Sequence, residues 1–177
     1  MDFTVIGEFH EIKLERVEPY PGESISHFLG RFERTNVWTT YQIGRVTGIK
    51  AGVSRWKKLY LKPLFPTRQE LEVLAEAVEV SADRLAQMLP SPDQTLKPPG
   101  TICLCAACYV ETPCHLIKWQ LKGVNACDLH GLYLLSKCPK CKKTFSVPAE
   151  WEEGRCSHCG KSFSEMVVHQ GRARKAQ

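Results

Sequence analysis

The first half of the chain places its apolar residues at helical spacing between clear stops. A partly alternating stretch over 3–17 (Phe9, Ile12, Leu14, Val17) predicts an arm or a short strand, and Pro19-Tyr-Pro-Gly22 then breaks the chain. Glu23 or Ser24 can cap a helix that sets Ile25, Phe28, Leu29 and Phe32 on one face and ends near Asn36. A second helix is expected from Thr39 to Thr47, stopped by Gly48, and a third from about Ala51 to Leu59. Beyond a break at Lys62-Pro-Leu-Phe-Pro66, a fourth helix carries Leu71, Leu74, Ala75 and Val78 on one face. Ser81 caps a fifth with Leu85, Met88 and Leu89 inside. The last two match a helix-turn-helix template through Ala75, Val80, Leu85 and Met88, although Glu79 stands where a turn glycine is usual.

Periodicity then gives way to punctuation and cysteines. SPDQTLKPPGT, residues 91–101, is proline-rich and aperiodic and predicts a linker. After it come four pairs: Cys105 and Cys108, Cys127 and His130, Cys138 and Cys141, Cys156 and Cys159. Each pair has the two-residue gap of a metal half-site, and thiolate with imidazole in fours points to tetrahedral zinc. Sequential pairing leaves 18 residues between the pairs of the first site and 14 within the second. A cross-braced arrangement would place the second and third pairs almost adjacent, and seven residues separate them; the topology stays open at this point.

The second site contains a small repeat. CPKCKKTF and CSHCGKSF put Lys143 with Phe145 and Lys161 with Phe163 at matching offsets, as two zinc knuckles each entering a strand, with Gly160 easing the turn. Of the cysteines left over, Cys103 precedes the first pair by two and could exchange with a ligand, though Cys-x-Cys is a poor bite for one ion. Cys114 lies in CHLIKWQL, an expected strand, and reads as a small buried hydrophobe.

Composition narrows the function classes. No run of about 18 apolar residues could form a membrane-spanning helix, and the N-terminus lacks a basic segment leading into an apolar core. Nine cysteines in such a chain suggest metal ligands and cytoplasmic thiols rather than disulfides. Charge is uneven: 13 basic and 13 acidic residues over 1–99, but 11 and 6 over 100–177. Within the neutral half, Arg31 to Lys62 holds eight basic residues against Glu33 alone, and Arg55, Lys57 and Lys58 flank Trp56. Cations beside an aromatic face suit a nucleic-acid backbone and its bases, the competing reading being a core tryptophan on a solvated helix. The expected recognition helix, with Ala82, Asp83, Arg84 and Gln87, follows Glu70, Glu72, Glu76 and Glu79, a poor surface for phosphates. Enzymatic activity is not expected, because both metal sets fill all four places and no HExxH, deaminase or phosphate-loop motif occurs.

The expected architecture is α plus small zinc-ribbon-like β modules. It divides into an arm (1–18), a helical helix-turn-helix domain (19–90), a linker (91–101), a domain of two tandem treble- or ribbon-type sites (102–165) and a basic tail (166–177).

PYPGESISHFLGRFERTN (residues 19–36), the stretch ending DRLAQMLP, CAACYVETPCHLIKWQ, CDLHGLYLLSKCPKC and WEEGRCSHC together resemble the TniQ family, the adaptors of Tn7-like transposons. The short length is similar to the compact members of CRISPR-associated transposons that use a single-protein type V-K effector. The resemblance carries the eight ligands over residue by residue and leaves Cys103 outside the pattern. It implies two structural zinc ions and a bridging role between the type V-K Cas effector with its guide RNA and the TnsC AAA+ ATPase oligomer. Target DNA or RNA backbone is the further contact implied, and no membrane. The alternative is an autonomous, sequence-specific DNA binder of the TnsD kind.

Overall fold

The structure is a computed structural model that describes residues 14–59, 61 and 65–173. The part of the predicted arm before residue 14 lies outside the described residues. Leu14–Glu18 forms neither helix nor strand and buries Val17, with the backbone of Glu15 exchanging two hydrogen bonds with the Asn36 side chain (2.7 and 3.0 Å).

Five helices follow in the order expected, each started by a local signal. Ser24 caps α1 (Ile25–Asn36) by accepting the His27 N–H, and a Thr39–Gln42 capping box opens α2 (Thr40–Thr47). Helix α3 (Lys50–Lys57) has no side-chain cap, whereas a Thr67–Glu70 capping box starts α4 (Arg68–Val78) and Ser81 caps α5 (Ala82–Ala86). Glu79 ends α4 at φ 54°, the left-handed conformation that a glycine would take without strain. Their apolar faces close over Phe28, Phe32, Ile43, Leu74, Leu85 and Trp56, all 0% exposed. Each such side chain contributes about 1.5–3 kcal/mol on leaving water.

The second half is built from short pieces. Helix α6 (Ala106–Glu111) precedes a two-residue antiparallel pair, β1 (Ala126–Cys127) with β2 (Leu132–Tyr133), and three 3-10 turns, Ile117–Gln120, Pro148–Glu150 and Ser164–His169. A second core forms around Trp119, Phe145, Trp151, Phe163 and Met166, with edge-to-face rings such as Trp151 on Phe163 at 4.8 Å. The expected strand through CHLIKWQL is a 3-10 turn instead. Its apparent alternation misleads because His115 and Gln120 are buried as well (0% and 4%), which leaves Lys118 alone among its polar side chains facing solvent.

These two cores meet along a buried polar seam. The Ser24 N–H donates to the His115 carbonyl (2.8 Å) and the Ile117 N–H to the Gly22 carbonyl (3.0 Å). Gly30 lets the Pro148–Glu150 turn touch α1, since a Cβ there would fall 2.2 Å from the Ala149 carbonyl oxygen. Ser26 Oγ accepts the Ala149 N–H (3.1 Å), and the Arg34 guanidinium donates to the Ala149 carbonyl (2.7 Å). Glu23, wholly buried, receives His27 Nδ1 (2.5 Å) and two bonds from Arg31 (3.0 and 2.8 Å). Burial pushes its carboxyl up, but the bonds from His27 and Arg31 outweigh it and hold the group below 4.5.

The predicted linker is also fastened. Lys97 N–H donates to the Gln120 carbonyl and Lys122 N–H to the Thr95 carbonyl (2.8 and 2.7 Å), and Lys97 Nζ reaches the carbonyls of Trp119, Leu121 and Val124. In the predicted tail, Met166 and Gln170 are buried, so the expected boundary at 165 falls inside a 3-10 turn; residues 174–177 lie outside the described residues.

At the centre of the seam, His115 Nε2 faces Gln120 Oε1 (3.4 Å), an acceptor, so the ring carries its proton there and Nδ1 accepts from Ser24 Oγ (2.8 Å). Burial, and after it the neighbouring His27, pushes this ring down to about 3. The neutral ring's stabilisation is therefore complete above pH 6.5 and is lost as pH falls toward 3. In urea titrations with excess zinc, the unaltered protein should lose up to about 1.4 kcal/mol more per pH unit below 6 than His115→Gln. Equal slopes for the two would show that the ring is not held neutral in the seam.

Candidate metal centres

The eight predicted ligands come together in two sets, in sequential order: Cys105, Cys108, Cys127 and His130, then Cys138, Cys141, Cys156 and Cys159. Within each set all ligand atoms lie within 4.8 Å of one another. In the first, Cys108 Sγ is 3.4 Å from Cys127 Sγ, and His130 Nδ1 is 3.2, 3.7 and 3.9 Å from Cys108, Cys127 and Cys105. In the second, Cys138 and Cys159 sulfurs are 3.6 Å apart and Cys141 and Cys156 are 3.7 Å apart. Sulfurs about 2.3 Å from a tetrahedral ion lie roughly 3.8 Å apart, so these sets fit one small cation each.

Local backbone geometry explains how the pairs are presented. Gly131, Lys142 and Gly160 each lie four residues after the first ligand of a pair, and each N–H donates back to that ligand's carbonyl (2.8, 2.9 and 2.9 Å). All three have positive φ (60°, 62° and 70°), so Lys142 takes the strained form of the turn that glycine makes freely. The repeat read in the sequence is thus a repeat of conformation. Cys138 and Cys156 N–H groups bond the carbonyls of Lys143 and Lys161, and isolated bridges pair Lys137 with Thr144 and Arg155 with Ser162. Each knuckle therefore enters a single bridge rather than an extended strand. Phe145 and Phe163 pack edge to face at 5.6 Å beneath the two knuckles.

Electrostatics favour a cation at both places. Burial pushes the Cys156 thiol up to about 11; at Cys138 burial acts the same way, but the N–H groups of Cys141 and Lys140 outweigh it and bring the thiol to about 7. One shared cation would let all four lose their protons. His130 turns Nδ1 to the sulfurs and Nε2 to Glu111 Oε1 (3.0 Å), so the carboxylate fixes the tautomer that leaves Nδ1 free to coordinate. Gln170 accepts the Ala106 N–H at the start of α6 (2.8 Å) and donates to the Tyr133 carbonyl (2.7 Å), tying both halves of this site. Neither Glu111 nor Gln170 was singled out by sequence reasoning; Glu111 is signalled only by its place one helical turn beyond Cys108.

Other candidates fare differently. Cys103 belongs to neither set and is buried, its thiol raised by desolvation. Cys114 is 1% exposed, and burial pushes it up to about 12, as a small hydrophobe should be. The proposed nucleic-acid group does not form one surface. Trp56 is 0% exposed within the helical core, because it shares the inner face of α3 with Gly52 and Val53, so no base can stack on it. Lys57 is paired with Glu33 and bonds Thr40, Arg55 Nε is buried without a partner among the described residues, and Lys58 is exposed.

A scan against protein-family profiles found no match to the chain, and a search of characterised proteins found none either. Among the described residues no helix is long and apolar enough to cross a membrane.

Metal analysis of the intact protein should give two ions per chain, with Cys103→Ser keeping both and Cys141→Ser keeping one. Glu111→Ala should weaken the first site about ten-fold in a competition titration without disturbing the second. A Cys103→Ser protein holding one ion would overturn the assignment.

Proposed function

We propose that this chain is a non-catalytic adaptor of the TniQ kind, holding two structural zinc ions and connecting an RNA-guided target-recognition complex to the AAA+ ATPase TnsC. The observation that carries this reading is the closed donor set at each cluster, joined through the seam to the helical core. A catalytic zinc keeps an open position for water or substrate, and four protein donors leave none. What remains is a body that offers surfaces on both halves, which suits simultaneous contacts with several partners.

In the same reading, α4 and α5 form a helix-turn-helix used for protein contact rather than base readout. Arg68 pairs with Glu72 and Asp83, and Arg84 bonds Gln87 and the Pro19 carbonyl, so the side chains that would meet base edges already have partners within the chain. A five-residue α5 with acids beside it presents little positive charge to a duplex.

Retention of the full-length protein on immobilised ATPase, with and without ATP, together with a duplex mobility shift, tests the proposal. Nucleotide-dependent retention with weak duplex binding is expected. Nanomolar affinity for a specific duplex in physiological salt, without retention, would replace the adaptor with the autonomous DNA binder.

A further inference from the structure

The hairpin between α2 and α3 holds a feature that the candidate sites do not use. Tyr41 and Arg45 lie one turn apart on the outer face of α2, and Gly44 between them lets the next helix come close. A Cβ at Gly44 would sit 3.0 Å from Lys50 Cα, so the start of α3 is pressed against α2. Tyr41, Arg45 and Lys50 together line an open cavity of about 290 Å³. Tyr41 is 75% exposed, and Arg45 and Lys50 are exposed and in no ion pair among the described residues. No acidic residue occurs from Trp38 to Leu59, so nothing in this hairpin's own sequence offsets the two charges. The positive end of α3 adds to them, because the helix begins at Lys50 without a side-chain cap.

We propose that this cavity is a binding site for a single strand of nucleic acid, with a base stacked on Tyr41 and its phosphates held by Arg45 and Lys50. The argument rests on the pairing of chemistries. A solvent-facing ring flanked by two unspent cations satisfies both the flat face of an unpaired base and the charge of its backbone. An acidic peptide would use the cations and leave the ring idle, and a duplex would hide the face that Tyr41 is placed to meet. The basic segment read in the sequence thus acts through α2 and the first turn of α3, while Trp56, six residues before the end of the same segment, turns into the core. The site deepens the adaptor reading by giving it a contact for the unpaired strand of a guide or opened target, but its chemistry does not require that reading.

Fluorescence anisotropy with the metal-loaded full chain, using oligo(dT) and oligo(U) of about fifteen nucleotides, tests the site. At about 50 mM salt both strands should bind, and a preference between them tells DNA from RNA. Tyr41→Ala should weaken binding about ten-fold while Tyr41→Phe, which keeps the ring face, retains it. The double variant Arg45→Ala, Lys50→Ala should flatten the log–log salt slope by about 1.4, the release expected for two single-strand phosphates. Circular dichroism should be unchanged for all of these, since the three side chains are exposed. The site is refuted if neither strand binds, if Tyr41→Ala binds like the unaltered protein, or if a duplex or a glutamate oligomer binds as tightly. Retention of Tyr41→Ala on the ATPase separates the two proposals: retention with lost strand binding supports both, and strand binding by a protein that the ATPase never retains keeps the site and removes the adaptor.

Discussion

From residue 102 onward the described chain has two-residue strands, one six-residue helix and three 3-10 turns, so backbone ladders cannot hold it in place. What fixes it is the convergence of four ligand pairs on two points. A tetrahedral ion at each point would supply the long-range constraint that a sheet otherwise gives, and for small metal modules that binding energy is folding energy, about 10–16 kcal/mol in zinc-finger peptides. The aromatic cluster of Trp151, Phe145 and Phe163 packs beneath the knuckles, so its position follows from the ligands.

That constraint reaches the helical half through the seam. His115 and the Pro148–Glu150 turn both belong to the metal-bearing half, and both bond to the first turn of α1 through Ser24 and Ser26. Each bond exchanged across this buried surface is worth only about 1 kcal/mol net, but leaving the groups unpaired would cost about 1–3 kcal/mol apiece. A buried Glu23–His27–Arg31 network is therefore safe only while the second half covers it. The two apolar cores are separate in composition, yet the polar layer between them makes their folding interdependent.

Much of this was legible before the structure. Two-residue gaps between ligands report a local turn, and a cap such as Ser81 reports a local bond, so both survive in sequence as short motifs. Positions whose reason lies far along the chain did not. Trp56 beside three cations looked like a stacking face, but helical phase relative to Val53 and the α1 core turned it inward. The alternation in CHLIKWQL looked like a strand because the partners that bury His115 and Gln120 come from residues 24 and 101–103. Gly30 carries no local signal of its own, and its role appears only when Ala149 arrives against it. Proline-rich composition in 91–101 reports a lack of periodicity, not a lack of bonds, and Lys97 and Thr95 supply those bonds.

The dependence of the helical half on the metal clusters is most directly read by hydrogen-exchange mass spectrometry of the full chain, with and without a strong divalent-metal chelator. Exchange should rise over residues 102–165 and, with it, at the first turn of α1 around residues 24–28, while α4 keeps its protection longer. Opening of residues 102–165 with the first turn of α1 as protected as before would show that the helical half stands on its own and that the seam carries no load between them.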